Sequence, residues 1–426
     1  MKLSYKRVIL VGFAFFLISA FWQAYDTIVP LLLVNRFEMS QATSGGVMAL
    51  DNIFAVLLLP FFGRLSDRTK TRFGRRTPYI FFGTLAAAAF FAALGYASTL
   101  PTFILLLLGS LLSMATFRSP AVALMPDVTV KPLRSKGNAV INLMGAAGGM
   151  LVLLLATGMH ISARETPDYS DYLLLVAALM LVSLLIFLFT VKEPRWAAEM
   201  EEETKRLGGD AEGEARTAAG GKLTREQRVS LILLLASVAL WYIGYNAVTS
   251  KYSLYATNVL QMNYSTTLLL AQAAAIVCYL PVGVVASRLG RRKTILIGIL
   301  LLTGAFTGAY FVTPTTPPVL MTVVFALAGV GWATINVNSF PMVVELAKEG
   351  DVGKYTGYYY AASMAAQVIT PILSGSLMDR FGMQPVLFPY AAIATALAFF
   401  TMLFVRHGDA KPIAKRGLEG LDVDVD

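Results

Sequence analysis

The chain of 426 residues has little of what covalent chemistry needs. Its one cysteine, Cys278, lies inside an apolar run, which rules out a disulfide framework. Its two histidines, His160 and His407, fall at the end of an apolar run and in the polar tail, too far from any run's centre for a histidine proton relay. No Ser/His, Cys/His or metal-ligand cluster occurs, no cofactor is implied, and no sizeable soluble stretch could house a catalytic domain. A membrane enzyme or a non-transporting receptor is therefore set aside. Charge is also scarce: 14% of residues are charged against 56% hydrophobic, with a mean hydropathy of +0.64. Such a chain belongs in a bilayer.

Apolar runs of about 20 residues, the length that spans a hydrocarbon core, recur through the chain. Twelve spans are predicted, near 8–33, 45–63, 79–99, 102–126, 139–160, 172–191, 229–250, 266–287, 294–313, 318–344, 356–378 and 384–405. The first is too long, and lacks the small-residue cleavage site, for a removable signal peptide. Of the 35 cations, only Arg36, Arg164, Lys251 and Arg380 fall on one side of the predicted membrane; Arg118 lies within a span and the rest lie on the other side. The positive-inside bias predicts both termini in the cytoplasm and a place in the cell membrane. Spread over inner loops, the net charge of +9 offers no clustered basic face for nucleic acid and belongs to topology and anionic lipid. The domains predicted are an N-terminal six-helix bundle (1–191), a cytoplasmic linker (192–228), a C-terminal six-helix bundle (229–405) and a tail (406–426). The linker is charged and Gly/Ala-rich, with room for a short amphipathic helix near Trp196, and the tail ends in an acidic run, Asp422 to Asp426.

The string GRLSDRTKTRFGRR, Gly63 to Arg76, packs six cations around Asp67 between two apolar runs. A thinner copy, Gly283 to Lys293, stands half a chain later with Ser287 in place of the carboxylate. In the same register Trp22, Tyr25 and Asp26 match Tyr242, Tyr245 and Asn246, and Ala115-Thr116 with Asp127 matches Ala333-Thr334 with Glu345. A duplicated six-span unit follows, and duplicated halves are what alternating-access transporters use. The basic turn repeated once per half resembles the loop signature of the major facilitator superfamily. Its expanded spacing looks more narrowly like the sucrose-transporter branch and, more distantly, the glycoside–pentoside–hexuronide cation symporters. The resemblance implies an all-α membrane protein, with twelve transmembrane helices in two pseudo-symmetric bundles. It also implies a conformational latch at Gly63, Asp67, Arg68, Gly74, Arg75 and Arg76, in which the carboxylate pairs with a nearby arginine and faces a helix N-terminus.

Ionisable groups inside spans are costly and functional by default. At ~1.5 Å per residue, Asp26 and Asp51 both sit about 10 Å below the outer surface, on consecutive spans. Two carboxylates at matched depth form a site able to hold a proton and release it when solvated. Their repeat mates, Asn246 and Ala271, cannot titrate. Arg118, beside Pro120, offers a planar donor fork to sugar hydroxyls or a counter-charge to a carboxylate; an ion pair with Asp127 is the structural alternative. Asp127 and Glu345 read as loop anchors. Trp22, Gln23, Tyr25, Trp241, Tyr245, Asn246, Asn142 and Asn336 supply the amphipathic rings and amides that suit a sugar's apolar face and hydroxyls. Membrane aromatics also pack or form interfacial belts.

The reading is a monomeric secondary transporter coupling sugar uptake to protons, with an oligosaccharide or glycoside as solute. The first rival is proton-driven efflux of an amphipathic compound. Antiporters of the superfamily carry a Gly-Pro motif in span 5, and here Gly145-Ala-Ala-Gly148-Gly149 has no proline. The second is sodium coupling, as in cation symporters of the melibiose type, whose second-span carboxylate is nearer the loop glycine than Asp51 is.

Overall fold

Helices apolar on every side need lipid or other helices around them, because water gives them no face to expose. The computed structural model describes residues 4–129, 134–161, 168–206, 224–346 and 352–408, and among them every regular element is helical. In chain order these are α1 (Tyr5–Leu31), α2 (Gln41–Met48), α3 (Leu50–Arg68), α4 (Thr77–Leu94), α5 (Leu100–Asp127), α6 (Arg134–Gly158) and α7 (Ser170–Thr190). There follow α8 (Glu193–Arg206), α9 (Arg225–Leu254), α10 (Tyr264–Leu289), α11 (Arg291–Tyr310), α12 (Pro318–Val344), α13 (Val352–Phe381) and α14 (Leu387–Leu403). Among the described residues, ten stretches are long and apolar enough to cross a membrane, and Tyr264–Tyr279 and Leu387–Leu403 are two shorter apolar helices. Large apolar side chains such as Phe82, Leu105 and Phe189 stand exposed on them, as lipid-facing groups would.

Two compact units divide the chain. The first holds residues 1–37 and 50–210. In it α1 packs on α6 and α7, α3 on α5, and α4 on α5 and α7. The second holds 38–49 and 211–426, where α9 packs on α13 and α14, α10 on α12, and α11 on α12 and α14. These are the same five pairings in repeat order. A π-helical turn also follows the first helix of each set, at Leu32–Arg36 and Tyr255–Val259. The duplication read from loop motifs is thus present in the packing.

Small residues set the closest contacts. A side chain added at Gly148 of α6 would meet the Phe16 carbonyl of α1, and one at Gly145 would meet Ser19. The glycines of span 5 therefore serve helix–helix approach inside the first unit.

The second predicted span, within Gln41–Arg68, is interrupted for one residue. Its polypeptide turns at Ala49, so α2 packs on α13 in the second unit while α3 belongs to the first. Asp379 of α13 accepts hydrogen bonds from the Gln41 and Ala42 N–H groups at 2.7 and 2.8 Å, using the unpaired donors at the start of α2. Lys251, assigned from sequence to a loop, is fully enclosed in α9; its Nζ donates to the Gln41 carbonyl at 2.9 Å.

The linker starts as α8, whose Trp196 is buried. Arg7 of α1 pairs with Glu199 at 2.6 Å and lies 5.2 Å from the Trp196 ring centre. The remainder of the linker, from 207 to 223, and the tail beyond 408 lie outside the described residues.

Candidate functional site

In the first unit, α1 carries Trp22, Gln23, Tyr25 and Asp26 within one and a half turns, so three of its faces bear polar or aromatic groups. Trp22 stands edge-on to Phe21 and Tyr25, at 5.1 and 5.3 Å between ring centres. From α5, the Arg118 guanidinium lies 5.5 Å from the Trp22 ring centre, within cation–π range. From the first turn of α3 comes Asp51, whose Oδ1 accepts from the Asn52 N–H at 2.5 Å and the Asn52 side-chain amide at 2.6 Å. Asp26, Asp51 and Arg118 lie close enough for their charges to act on one another, and Tyr25 feels both carboxylates. Asp26, Asp51, Arg118 and Gln23 are half-buried, whereas Tyr25 is fully enclosed and shapes the cluster from behind. Asn142 is half-buried on α6.

Asp127, the structural alternative as a partner for Arg118, is engaged by two other arginines. It takes Arg75 at 2.5 Å and Arg76 at 2.8 Å.

In the second unit, Tyr245 of α9 lies flat on Trp332 of α12, with ring centres 3.6 Å apart and planes 5° from parallel. Tyr242 meets the same indole edge-on at 5.2 Å. Asn336 follows Trp332 by one turn, on the same face of α12, and both are half-buried with Tyr245 and Asn246. Among the described residues the Asn246 side-chain amide nitrogen has no hydrogen-bond partner, and neither does the Gln272 carbonyl oxygen on α10. Trp241 is fully enclosed in α9 and presents no surface to a solute. Trp332 was missed by the sequence reading because a lone indole in an apolar run carries no motif. Its pairing with Tyr245 exists only once α9 and α12 are placed.

The basic turn is ordered by ion pairs. Arg76, 3% exposed, bonds Asp67 at 2.5 Å, Asp127 at 2.8 Å and the Ser66 hydroxyl. Burial alone would weaken its hold on the proton; Asp127 and then Asp67 more than offset this and raise its pKa. Gly74 has φ +111°, a conformation that side chains resist, and a Cβ there would collide with Glu193. Glu193 is the residue that sequence reasoning passed over. It is 2% exposed and caps the start of α4, accepting from the Arg75, Arg76 and Thr77 N–H groups at 2.7, 2.9 and 2.8 Å and from the Thr77 hydroxyl at 2.7 Å. Its only signal was a carboxylate just after an apolar run. Gly63 packs against Ser119, and Arg68 is exposed, outside the described ion pairs. The repeat keeps the pattern: Gly290 has φ +88°, and Arg291 pairs with Glu345 at 2.6 Å.

The sequence profile of the Major Facilitator Superfamily matches residues 11–339 and again 265–423, nearly the whole chain. The chain belongs to the Major Facilitator Superfamily. It is therefore a membrane transporter and not an enzyme. Solved structures of this superfamily share its fold at low identity. A nucleoside transporter, NupG, aligns with TM-score 0.68 and 15% identity over 94% of this chain and all of that one. The xylose transporter XylE from E. coli, inward open, aligns with TM-score 0.65 and 15% identity over 98% of each chain. The peptide transporter POT in complex with alafosfalin aligns with TM-score 0.69 and 14% identity over 94% of this chain and 93% of that one. Comparison with curated protein sequences returns no significant match.

Proposed function

We propose that this superfamily transporter takes up a sugar, an oligosaccharide or glycoside, together with protons, by alternating access. The observation carrying this reading is the asymmetry between repeats. The first unit gathers Asp26, Asp51 and Arg118, and the second puts uncharged Asn246 and a Tyr245–Trp332 stack at matching or neighbouring positions. One repeat then supplies a group that changes charge, while the other supplies rings and amides that suit a neutral polyol with an apolar face. Asp26 and Asp51 form the proton-coupling pair. Trp22, Gln23, Arg118, Asn142, Tyr245, Asn246 and Asn336, now with Trp332, contact solute; Tyr25 and Trp241 support them from behind. The Asp67–Arg76 and Asp127 pairs act as the latch. The arginine-rich loops support a reading with both termini in the cytoplasm and the protein in the cell membrane. The XylE and NupG likenesses support the fold rather than a choice of solute.

The test is uptake into proteoliposomes from a panel of mono- and disaccharides chosen by thermal shift. An imposed proton gradient should drive accumulation at constant sodium. Asp26→Asn should still exchange solute at equal concentrations while failing to accumulate it. Accumulation that needs sodium at constant pH moves the protein to the cation-symporter class. Solute driven outward against protons moves it to efflux.

A further inference from the structure

Resting on that proton-coupled reading, we infer a division of labour between the two membrane carboxylates. Asp26 carries the transported proton, Asp51 stays a fixed anion, and Asn52 is the positioning residue that keeps it so. The grounds are the donors each carboxylate meets. Asp51 lies in the first turn of α3, which starts anew after the interruption at Ala49, where a helix's leading N–H groups are available to a side chain. Its Oδ1 takes one of them, the Asn52 backbone N–H at 2.5 Å, together with the Asn52 side-chain amide at 2.6 Å. Both forms of the carboxyl can accept at Oδ1, but hydrogen bonds to the charged carboxylate are roughly twice as strong as those to the neutral acid, so the two donors favour the anion. Asp26 sits inside α1, where backbone N–H groups are committed to the helix, and no hydrogen bond reaches its side chain among the described residues. The charged or titratable groups that act on it are Asp51 from α3, Arg118 from α5 and Tyr25 on its own helix. Of the other helices against α1, α6 has charged residues in its sequence only at 134 and 136, its first and third positions, and α7 only Asp171, bonded to the Tyr172 N–H in its first turn. A proton on Asp26 therefore displaces no donor. When it leaves, the new anion has no donor of its own, and the Arg118 charge that favours it is opposed by the standing charge of Asp51.

Difference infrared spectroscopy of the purified protein near neutral pH reads the carbonyl band of protonated carboxyl groups directly, without transport. The wild type should show a membrane-carboxyl band that Asp26→Asn removes and Asp51→Asn leaves. Asn52→Ala should add a second band, absent again when Asp51→Asn is combined with it. Asn52→Ser, which keeps a donor, should restore the wild-type spectrum; a purely packing role for Asn52 would not separate these two small substitutions. Loss of the wild-type band in Asp51→Asn but not Asp26→Asn overturns the inference, and so does an Asn52→Ala spectrum identical to wild type. Uptake blind to an imposed proton gradient overturns the coupling reading and this inference with it, whereas proton-driven uptake with either contrary spectrum overturns the inference alone.

Discussion

At the scale of single residues, the site depends on shape as much as on charge. Arg118 lies over the Trp22 ring, within the field of two carboxylates. Lysine keeps the charge but loses both the flat stacking surface and the donor fork. Arg118→Lys should therefore weaken solute binding by about tenfold or more, read by calorimetry. Because Asp127 is bound to Arg75 and Arg76, the double variant Arg118→Met with Asp127→Asn should not recover transport. In the second unit, Trp332→Ala should weaken solute binding several-fold, and Trp332→Phe should recover part of the loss through its remaining ring. Equal affinity in all three proteins would take Trp332 out of the solute site. Sequence could nominate Asp26, Asp51 and Arg118, because a charge in a long apolar run is conspicuous. It could not nominate Trp332 or Asn52, whose parts depend on one partner in space and one hydrogen-bond direction.

Whole elements were legible where composition alone decides them. Runs long enough to span gave the helices, and the basic turns gave the repeat. The interruption at Ala49 was hidden, since its flanks are as apolar as a continuous span's. The burial of Lys251 was hidden too: a cation at a helix end reads as a loop residue until the Gln41 carbonyl and Asp379 are seen beside it. Two predictions belong to this scale. Gly148→Ala puts a methyl group against the Phe16 carbonyl, so the α1–α6 seam must part. The purified variant should melt well below wild type, while a substitution at Gly158, where a Cβ meets nothing, should not. The second concerns α8. Arg195 and then Arg7 hold Glu199 below its usual pKa, so the contact is complete above the ordinary carboxylate range and is lost as pH falls through the depressed value. These groups are largely open to water, and salt should weaken the contact as well. Hydrogen exchange along α8 should rise on acidification and at high ionic strength. Protection unchanged under both would assign the docking of α8 to Trp196 alone.

Across the whole molecule, five helix pairings occur twice while the chemistry does not. Duplication fixes the scaffold; substitution at matched positions separates a titrating repeat from a neutral one. The latch prediction follows from where the ion pairs lie. Asp67 is 57% exposed at the end of α3, far along the chain from the α1 cluster, so Asp67→Asn should slow turnover and leave solute affinity nearly intact. Lost affinity in a folded variant would contradict this. The four tryptophans also give the molecule a built-in optical probe. Trp22 and Trp196 lie in the first unit, Trp241 and Trp332 in the second, and only Trp332 is pressed flat against a phenol. A protein with the other three changed to phenylalanine would emit from that stacked indole alone. Any solute that settles on the pair, or prises it apart, would then announce itself as a change in colour or brightness, before a single transport assay is run.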